Sequence, residues 1–265
     1  MYISNIEFNG LCAEIQNAAR EELLPRFARV ERGIKADGSF ITEADLAVQG
    51  RIEDYLKRQW PDVAFLGEEM EAQAQKVLMT SGQPYWCLDP LDGTSNFAAG
   101  IPYYAVSLAL ISEGRSQLGI VYDPSRDECF SAQAGQGALI NNQALNTVIT
   151  GLNLSQTTAL IDFKRLTPEL AARLVTERPY ASQRSFGGVA LDWCWLAAGR
   201  CHIYLHGRQN LWDYAAGLLV FSEAGGHSIN LDGSPLFMND LVPRAAVGAG
   251  DPALFQPWCE WLKIP

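Results

Sequence analysis

The part of the sequence that most restricts the fold is a series of three β-type runs separated by turn residues. The runs are Tyr104–Ile111, Gln117–Tyr122 and Glu128–Ala132, and the turn residues between them are Glu113-Gly114 and Asp123-Pro124. Short runs punctuated in this way are typical of antiparallel strands joined as a meander. The sequence therefore predicts an antiparallel sheet in the middle of the chain.

Helical patterns and two short β-type runs precede this sheet. Ile6–Val30 shows the apolar spacing of a helix, and Pro25 is expected to kink or end it. A second helix is predicted over Glu43–Trp60, with Thr42 as its N-cap. The β-type runs in this region are Val63–Leu66 and Tyr85–Leu88.

Beyond the meander, strands and helices alternate. The stretch Gly135–Thr150 is rich in Gly, Asn and Gln and marks the expected boundary between an N-terminal α+β subdomain, residues 1–150, and a C-terminal α/β subdomain, residues 151–265. Elements predicted after it are strands Ala159–Phe163 and Ile203–Leu205 and helices Pro168–Thr176, Val189–Ala198, Tyr214–Ala224 and Pro252–Leu262. The sequence thus predicts an α+β fold of mixed sheets layered with helices.

Charge and cysteine content narrow the functional classes. A net charge of −10 and a pI near 4.8 would repel a nucleic-acid backbone, so we expect no duplex DNA or RNA partner. The six cysteines are scattered without a C-x-x-C pair, which is typical of free thiols in a reducing compartment. The sequence shows neither a signal-peptide pattern nor an apolar stretch of bilayer length. We therefore expect a cytoplasmic protein without a membrane partner.

The strongest chemical signal is the string Asp89-Pro90-Leu91-Asp92-Gly93-Thr94, which follows the Tyr85–Leu88 run. Two carboxylates three residues apart converge on one point if the chain turns sharply, and Pro90 and Gly93 supply such a turn. Gly93 also lets backbone N–H groups approach a ligand, and a helix beginning at Thr94 would direct its free N–H groups to the same point. The alternative is an Asx-turn with solvated aspartates.

Three further acids are candidates for the same site. Glu68 follows a strand and Gly67, Asp213 stands where a helix is expected to begin, and Asp45 lies in the first turn of a predicted helix. Their structural alternatives are a solvated first-turn acid, an N-cap and the third residue of a capping box, respectively.

The combined negative charge of such a site indicates that a cation binds there. Carboxylates that meet in one pocket repel each other by about 4 kcal/mol per close pair at an effective dielectric of about 20, and divalent cations remove that penalty. Since all the candidate ligands are oxygens, the sequence indicates Mg²⁺, with Mn²⁺ as a possible substitute. Oxygen sites for Mg²⁺ are commonly completed by substrate phosphate, so phosphoryl chemistry follows.

Several segments resemble the motifs of the inositol monophosphatase family. They cover nearly the whole chain in the expected order, and they are Lys35–Asp45, Gly67-Glu68-Glu69, Asp89–Thr94, Trp212–Gly217 and Glu223–Gly226. The resemblance implies a layered αβαβα sandwich of mixed and antiparallel sheets with helices. It also implies a homodimer and a lithium-sensitive, Mg²⁺-dependent hydrolysis of a small phosphate monoester.

By position, the resemblance further implies a set of metal ligands for two to three Mg²⁺ ions. Glu68, Asp89 and the Leu91 carbonyl would hold the first ion. Asp89, Asp92 and Asp213 would hold the second, and Glu68 would reach a weaker third. Asp92 would also lie against the bound phosphate.

The resemblance assigns catalytic and phosphate-binding roles as well. Thr94, oriented by Asp45, would position the attacking water and help to deprotonate it, with Glu68 also taking part in catalysis. Backbone N–H groups of Gly93 and Thr94 would cradle the phosphate. The segment Gly187-Gly188-Val189-Ala190 resembles the substrate-side loop of the family, with Gly187 and Val189 as contacts, although it is also a plausible simple helix entry.

Departures from the family pattern lie on the substrate side. Many inositol phosphatases carry a glutamate seven residues before the last metal aspartate, and this chain has His206 there. An imidazole cannot replace a carboxylate that accepts two hydroxyl hydrogen bonds. Arg208 is a candidate contact for a second anion, and the alternative for both residues is a solvated loop. Phe40 replaces the proline usual in the upstream motif.

Two classes of function remain open from the sequence. The first is a phosphatase with inositol monophosphate as the default substrate and histidinol phosphate, a sugar bisphosphate or a 3′-phosphoadenosine nucleotide as alternatives. The second is a non-catalytic binding or regulatory protein on the same scaffold. The predicted metal and water-activating positions are all present, which favours the first.

Overall fold

The computed structural model describes residues 3–29, 33–34, 40–68 and 70–265. Lys35–Ser39 of the upstream motif, Glu69 and the side chain of Phe40 lie outside the described residues, so the expectations placed on them stay predictions. The cysteines are all free, and all but Cys259 are buried.

Two capped helices open the chain. Helix α1, Asn5–Glu22, begins with a capping box in which Ser4 and Glu7 satisfy each other's backbone N–H groups. It ends before Pro25, where a 3₁₀ turn takes over, as the sequence predicted. Helix α2, Glu43–Gln59, is capped by Thr42 as predicted. Between the helices, β1, Gly33–Ile34, pairs antiparallel with β2, Phe40–Ile41.

A seven-stranded sheet follows, with its strands in sequence order. The first two strands are parallel and all later neighbours are antiparallel, which confirms the predicted meander. The strands are β3, Ala64–Gly67; β4, Tyr85–Asp92; β5, Ala105–Ser112; β6, Arg115–Asp123; β7, Glu128–Gln133; β8, Ala138–Ile140; and β9, Gln143–Leu145. Helices α3, Ala72–Thr80, and α4, Thr94–Ala99, flank β4.

The last two strands of this sheet lie in the stretch that the sequence marked as a boundary. Ile140 pairs with Gln143, so Asn141 and Asn142 form a two-residue hairpin loop. Both have positive φ, 48° and 64°, which the right-handed twist of a two-residue hairpin requires and asparagine tolerates. The Gly- and Asn-rich composition therefore encodes a hairpin rather than a linker up to Leu145.

A second, five-stranded sheet is built from the rest of the chain, in the order β11-β10-β12-β14-β13. β10 is parallel to both of its neighbours, whereas β14 is antiparallel to β12 and β13. The strands are β10, Thr158–Asp162; β11, Ser182–Arg184; β12, Ile203–Gln209; β13, His227–Ile229; and β14, Arg244–Ala249. The helices are α5, Pro168–Glu177; α6, Val189–Ala197; α7, Leu211–Glu223; and α8, Pro252–Leu262.

Helix α7 begins three residues earlier than the sequence predicted. Asn210 is its N-cap, and Asp213 is the third residue of a capping box, so the alternative that made Asp213 the N-cap is wrong. Asparagine is among the preferred N-cap residues because its side chain accepts a free N–H of the first turn.

The order of helix and sheet layers follows from which faces of the helices and sheets carry apolar side chains. Helices α1 and α2 pack on one face of the first sheet, and α6 and α7 pack between the two sheets. Helices α5 and α8 cover the outer face of the second sheet. This arrangement is the predicted αβαβα sandwich. Since helices cover both of its faces, the first sheet has central strands β4 and β5 buried along their whole length.

The two sheets share one continuous core. The central cluster contains Val121 and Phe130 of the first sheet, Trp193 and Phe221 of the middle helices and Tyr204 of the second sheet. The division of the chain at residue 150 stays a prediction. Among the described residues, no helix combines the length and apolar composition needed to cross a bilayer.

Helix α7 lies unusually close to the first sheet because Gly119 of β6 has no side chain. A Cβ atom added to Gly119 would lie 2.7 Å from the carbonyl oxygen of Ala216 and 3.0 Å from its Cα. Both are backbone atoms, so the helix itself would have to move. The glycine therefore fixes the distance between the sheet and the helix that carries Asp213.

We expect Gly119→Ala to lower the free energy of unfolding by about 1–3 kcal/mol, the usual range for overpacking a core. The matched control is Gly50→Ala on α2, where an added Cβ meets no atom within 4 Å. That substitution should stabilise the protein by up to about 1 kcal/mol, because alanine is the better helix former. Urea unfolding of both variants measures the difference; equal effects would contradict the proposed close approach.

Candidate active site

The predicted acidic ligands lie at one edge of the first sheet. Strands β3 and β4 are parallel, so Glu68, directly after β3, and Asp92, the last residue of β4, lie at the same edge. Asp213 is in the first turn of α7, which packs against β4. Burial raises the pKa of Asp89 well above its usual value, and the charges of Glu68, Asp92 and Asp213 raise it further. The four carboxylates therefore share one electrostatic environment.

The Asp89–Thr94 string turns later than predicted. Strand β4 continues through Asp92, with an irregularity in its pairing between Asp89 and Asp92, and the sharp turn comes at Gly93. Gly93 has a φ of 88°, and a Cβ there would lie 2.8 Å from the Tyr103 carbonyl oxygen. Only glycine fits this position, and helix α4 begins at the next residue, as predicted.

Each aspartate of the cluster is oriented by a backbone N–H group. Asp89 Oδ1 accepts from Leu91 at 3.0 Å, Asp92 Oδ2 from Ala190 at 2.7 Å and Asp213 Oδ2 from Asn210 at 2.8 Å. Val189 also donates its backbone N–H to Asp92, and the Asn210 side chain also contacts Asp213.

The charge of this cluster is unfavourable without a cation. Burial and the charge of Asp213 raise the pKa of Asp92 well above its usual value. Burial of its carboxyl, with the charge of Glu68, raises the pKa of Asp213 to about 7. Within the described parts of the chain, no three Asp, Glu, His or Cys side chains have the arrangement of a formed metal site. The donor set, carboxylates and a backbone carbonyl, nevertheless fits Mg²⁺, which prefers hard oxygen ligands.

Thr94 and Asp45 form a connected pair beside the aspartates. The Thr94 hydroxyl donates to the Leu91 carbonyl at 2.9 Å and lies 3.3 Å from Asp45 Oδ1. Asp45 Oδ2 accepts the N–H and O–H groups of Thr42 at 2.7 and 2.6 Å. Burial raises the pKa of Asp45. Asp45 is thus both a capping-box residue and a neighbour of Thr94.

Asn96, a residue that the sequence analysis did not single out, connects the segment around Gly187 to the helix that follows the Gly93 turn. The Asn96 amide donates to the carbonyl oxygens of Tyr103 at 2.9 Å, Phe186 at 2.7 Å and Gly187 at 3.3 Å. Gly187 is exposed with a φ of 79°, and Val189 is the first residue of α6. The position of Asn96 in helix α4, directly after the turn, was the available signal.

A buried carboxyl on α6 is a second residue that the sequence analysis missed. Tyr103 donates its hydroxyl to Asp192 Oδ1 at 2.8 Å, and burial raises the pKa of Asp192 to about 8. Asp192 is the only acid in the otherwise apolar helix Val189–Ala197, which was a signal that could have found it. This hydrogen bond joins α6 to the segment just before β5.

His206 lies in the second sheet with both ring nitrogens engaged. Its Nε2 donates to Asp162 Oδ2 at 3.1 Å, and its Nδ1 accepts the backbone N–H of Arg208 at 3.2 Å. The side chain is 6% exposed, and the Arg208 side chain is exposed. Burial is the largest single influence on Asp162 and would raise its pKa. The hydrogen bond and charge of His206, the Lys164 N–H group and the charge of Arg165 together outweigh burial, so the pKa is lowered. The substrate roles of His206 and Arg208 stay predictions.

Comparison with known proteins agrees with this fold. The model of the family described as "Inositol monophosphatase family" matches residues 6–257. Inositol monophosphatase 1 of Solanum lycopersicum is 32% identical over 267 residues, covering 97% of this chain and 95% of that protein. Nus factor SuhB of Pasteurella multocida is 35% identical over 216 residues, covering 77% of each chain. The crystal structure of SaIMPase-II bound to inositol monophosphate has a TM-score of 0.78 at 26% identity and covers 96% of this chain and 92% of that one.

These similarities define the chain as a phosphoric monoester hydrolase. The chain belongs to the inositol monophosphatase family, as its motifs predicted. That family is metal-dependent.

The raised pKa values predict how the metal-free protein responds to pH. Asp213 has a pKa of about 7 in the folded state against 3.8 as the ordinary value, so the folded state binds more protons between these values. The free energy of unfolding should therefore fall as pH rises from about 4 to about 7, because over this range the unfolded chain loses the proton that the folded protein retains.

Urea unfolding in chelator across that pH range is the measurement. Asp213→Asn should make the decline shallower and should raise stability at the alkaline end. Asp62→Asn, at an exposed acid, is the control and should leave the decline unchanged. A decline that is equally steep in Asp213→Asn and in the unsubstituted protein would contradict the prediction.

Proposed function

We propose that the protein hydrolyses a small phosphate monoester in a reaction that depends on Mg²⁺. The observation that carries this proposal is the group of mutually repelling carboxylates, Glu68, Asp89, Asp92 and Asp213, beside the Gly93 turn. Such a group is stable when a divalent cation neutralises it, and its oxygen donors match Mg²⁺. Mn²⁺ is the expected substitute.

The proposed ligands divide into two overlapping sets. Glu68, Asp89 and the carbonyl of Leu91 would hold one ion. Asp89, Asp92 and Asp213 would hold another, and Glu68 would reach a third. When bound, Mg²⁺ supplies a water of lowered pKa and neutralises charge that develops on the phosphate and the leaving oxygen.

The other catalytic work falls to groups of this chain. The Thr94 hydroxyl would take up a proton from the attacking water while it gives its own proton to Asp45 Oδ1, which lies 3.3 Å away. Asp45 suits this task because its raised pKa lets it take up a proton. The water oxygen would form the new bond to phosphorus as the ester P–O bond breaks, and the leaving oxygen would take a proton from solvent. The N–H groups of Gly93 and Thr94 at the start of α4 would hold the phosphate oxygens, and Asp92 would lie beside them. No covalent phosphoenzyme is needed.

Inositol monophosphate is the default substrate, supported by the family match and by the ligand named for SaIMPase-II. Gly187, Val189 and Arg208 are the proposed contacts to the alcohol part. His206, which the sequence analysis placed with them, has both ring nitrogens engaged and would act by holding the Arg208 N–H group. The alternatives are histidinol phosphate, a sugar bisphosphate and a 3′-phosphoadenosine nucleotide.

A second candidate function is a binding or regulatory role. The observation in its favour is the 35% identity to a protein named Nus factor SuhB. The two functions separate in one comparison: phosphate release from a broad panel of monoesters with Mg²⁺, and partner capture by Asp92→Asn. Capture without any turnover would favour the binding role.

Three further expectations remain. A homodimer and inhibition by lithium rest on the family resemblance, and a cytoplasmic location rests on the scattered cysteines and the N-terminal sequence. Analytical ultracentrifugation, a lithium titration of the activity and cell fractionation test them in turn.

The water-activating role predicts a specific pattern at Thr94. Thr94→Val keeps the shape but removes the hydroxyl, so kcat should fall by about 10²–10⁴, the usual contribution of proton transfer. Thr94→Ser, which restores the hydroxyl, should recover most of the rate. Phosphate release at saturating Mg²⁺ measures both.

The ligand role predicts a larger loss for the aspartate. Asp92→Asn should lower kcat at least about 100-fold, more than the loss typical of a group that only supports a ligand. Its circular dichroism spectrum should match that of the unsubstituted protein. Near-normal turnover of Asp92→Asn would remove this residue from the site.

A further inference from the structure

Three cationic side chains lie where two parallel strands of the second sheet end. Lys164 and Arg165 follow β10, and Arg208 is near the end of β12, which is parallel to β10. All three side chains are exposed. In the described part of the chain, none of them forms an ion pair or a side-chain hydrogen bond with an acid. We call these residues the cationic edge.

The cationic edge is held close together by backbone packing. A Cβ atom added to Gly207 would lie 1.8 Å from the Arg165 carbonyl oxygen, so the chain at Arg165 rests directly on β12. Arg208 is the next residue, and its N–H group is fixed by His206 Nδ1. The backbone of Arg165 is therefore adjacent to that of Gly207 and Arg208 at the end of β12.

The cationic edge borders the acidic cluster. Strand β12 leads through Asn210 into α7, whose first turn carries Asp213. The backbone of Arg165 packs against Gly207, which lies six residues before Asp213 in the chain. The end of β12, with Arg165 and Arg208, therefore lies beside the start of the helix that carries Asp213.

The side chains at the cationic edge suit an anionic group better than the hydroxyl groups of a sugar or inositol ring. His206 has no free nitrogen for a hydroxyl, since Asp162 and the Arg208 N–H group occupy both. Arginine and lysine side chains only donate hydrogen bonds, and guanidinium groups match phosphate and carboxylate in a two-pronged geometry. Arginines at other places in this acidic protein, such as Arg20, Arg51 and Arg200, are in ion pairs.

We propose that Arg165 and Arg208, supported by Lys164, bind a second anionic group in the alcohol part of the substrate. The preferred substrate is then a phosphate monoester that carries a further phosphate or carboxylate. This inference rests on the proposed phosphatase function and narrows its substrate class.

Matched substrate pairs test the proposal. Fructose 1,6-bisphosphate is compared with fructose 1-phosphate, and 2-phosphoglycerate with glycerol 2-phosphate, so the two arms distinguish phosphate from carboxylate. We expect kcat/KM to be at least about tenfold higher for one or both doubly anionic members, mainly through KM; tenfold corresponds to about 1.4 kcal/mol. The preference should shrink as salt is raised, because the charges are exposed.

Substitutions test whether residues of the cationic edge cause the preference for doubly anionic substrates. Arg165→Gln and Arg208→Gln should each lower kcat/KM for the doubly anionic substrate about tenfold more than for its partner. The matched control is Arg115→Gln, an exposed arginine of β6. It pairs with Ser112 of β5, next to the residue that pairs with Tyr85 at the start of β4, and so lies at the opposite end of the sheet from Asp92. It should leave kcat/KM for all four substrates unchanged.

The outcomes separate this inference from the function on which it rests. Equal kcat/KM for both members of both pairs, or equal losses on all substrates in Arg165→Gln, would overturn the second-anion site while leaving the phosphatase intact. If no monoester is hydrolysed, the phosphatase proposal fails. Calorimetric titration with fructose 1,6-bisphosphate then tests the cationic edge alone, and equal affinity in Arg165→Gln and the unsubstituted protein overturns it.

Discussion

Repulsion among buried carboxylates is the interaction on which the rest of this structure depends. Asp89 and Asp92 are almost fully buried, and the charge of Asp213 acts on both. Free side chains would separate to lower this energy, but three backbone N–H groups hold the aspartates in place. The fold therefore stores an electrostatic cost at one edge of a sheet, and a divalent cation would relieve it. The repulsion lowers the stability of the folded protein at the place where the proposed chemistry needs concentrated negative charge.

The sandwich is what keeps the cluster together. Asp213 reaches the aspartates of β4 because α7 is clamped between the two sheets, and the missing side chain of Gly119 lets the helix approach. Asn96 and the Tyr103–Asp192 bond fasten the start of α6, whose Ala190 N–H group orients Asp92. The residues around the site are thus held by core packing and by hydrogen bonds rather than by contacts among the acids themselves.

Much of the fold and the acidic cluster was predictable because local patterns encode them. Helix α2 begins at its Thr42 cap, and the meander follows alternating apolar runs and turns. The hairpin at Asn141-Asn142 was missed, because composition alone does not separate a turn with positive φ from a linker. Asp213 was identified as a site residue but given the wrong place in its helix, since the N-cap depends on which side chain meets a free N–H group.

By itself, the sequence determined the long helices, the strands of the meander and the acids proposed as ligands, because apolar periodicity, caps and the Asp89–Thr94 string are local properties of the chain. The order of the layers was implied by the family resemblance. Only the tertiary structure decided what surrounds those acids. His206 pairs with Asp162 because parallel strands bring them into register, and Arg165 meets Gly207 because β10 and β12 are neighbours. These partners are dozens of residues apart, and their contacts arise from strand order, which no local pattern specifies.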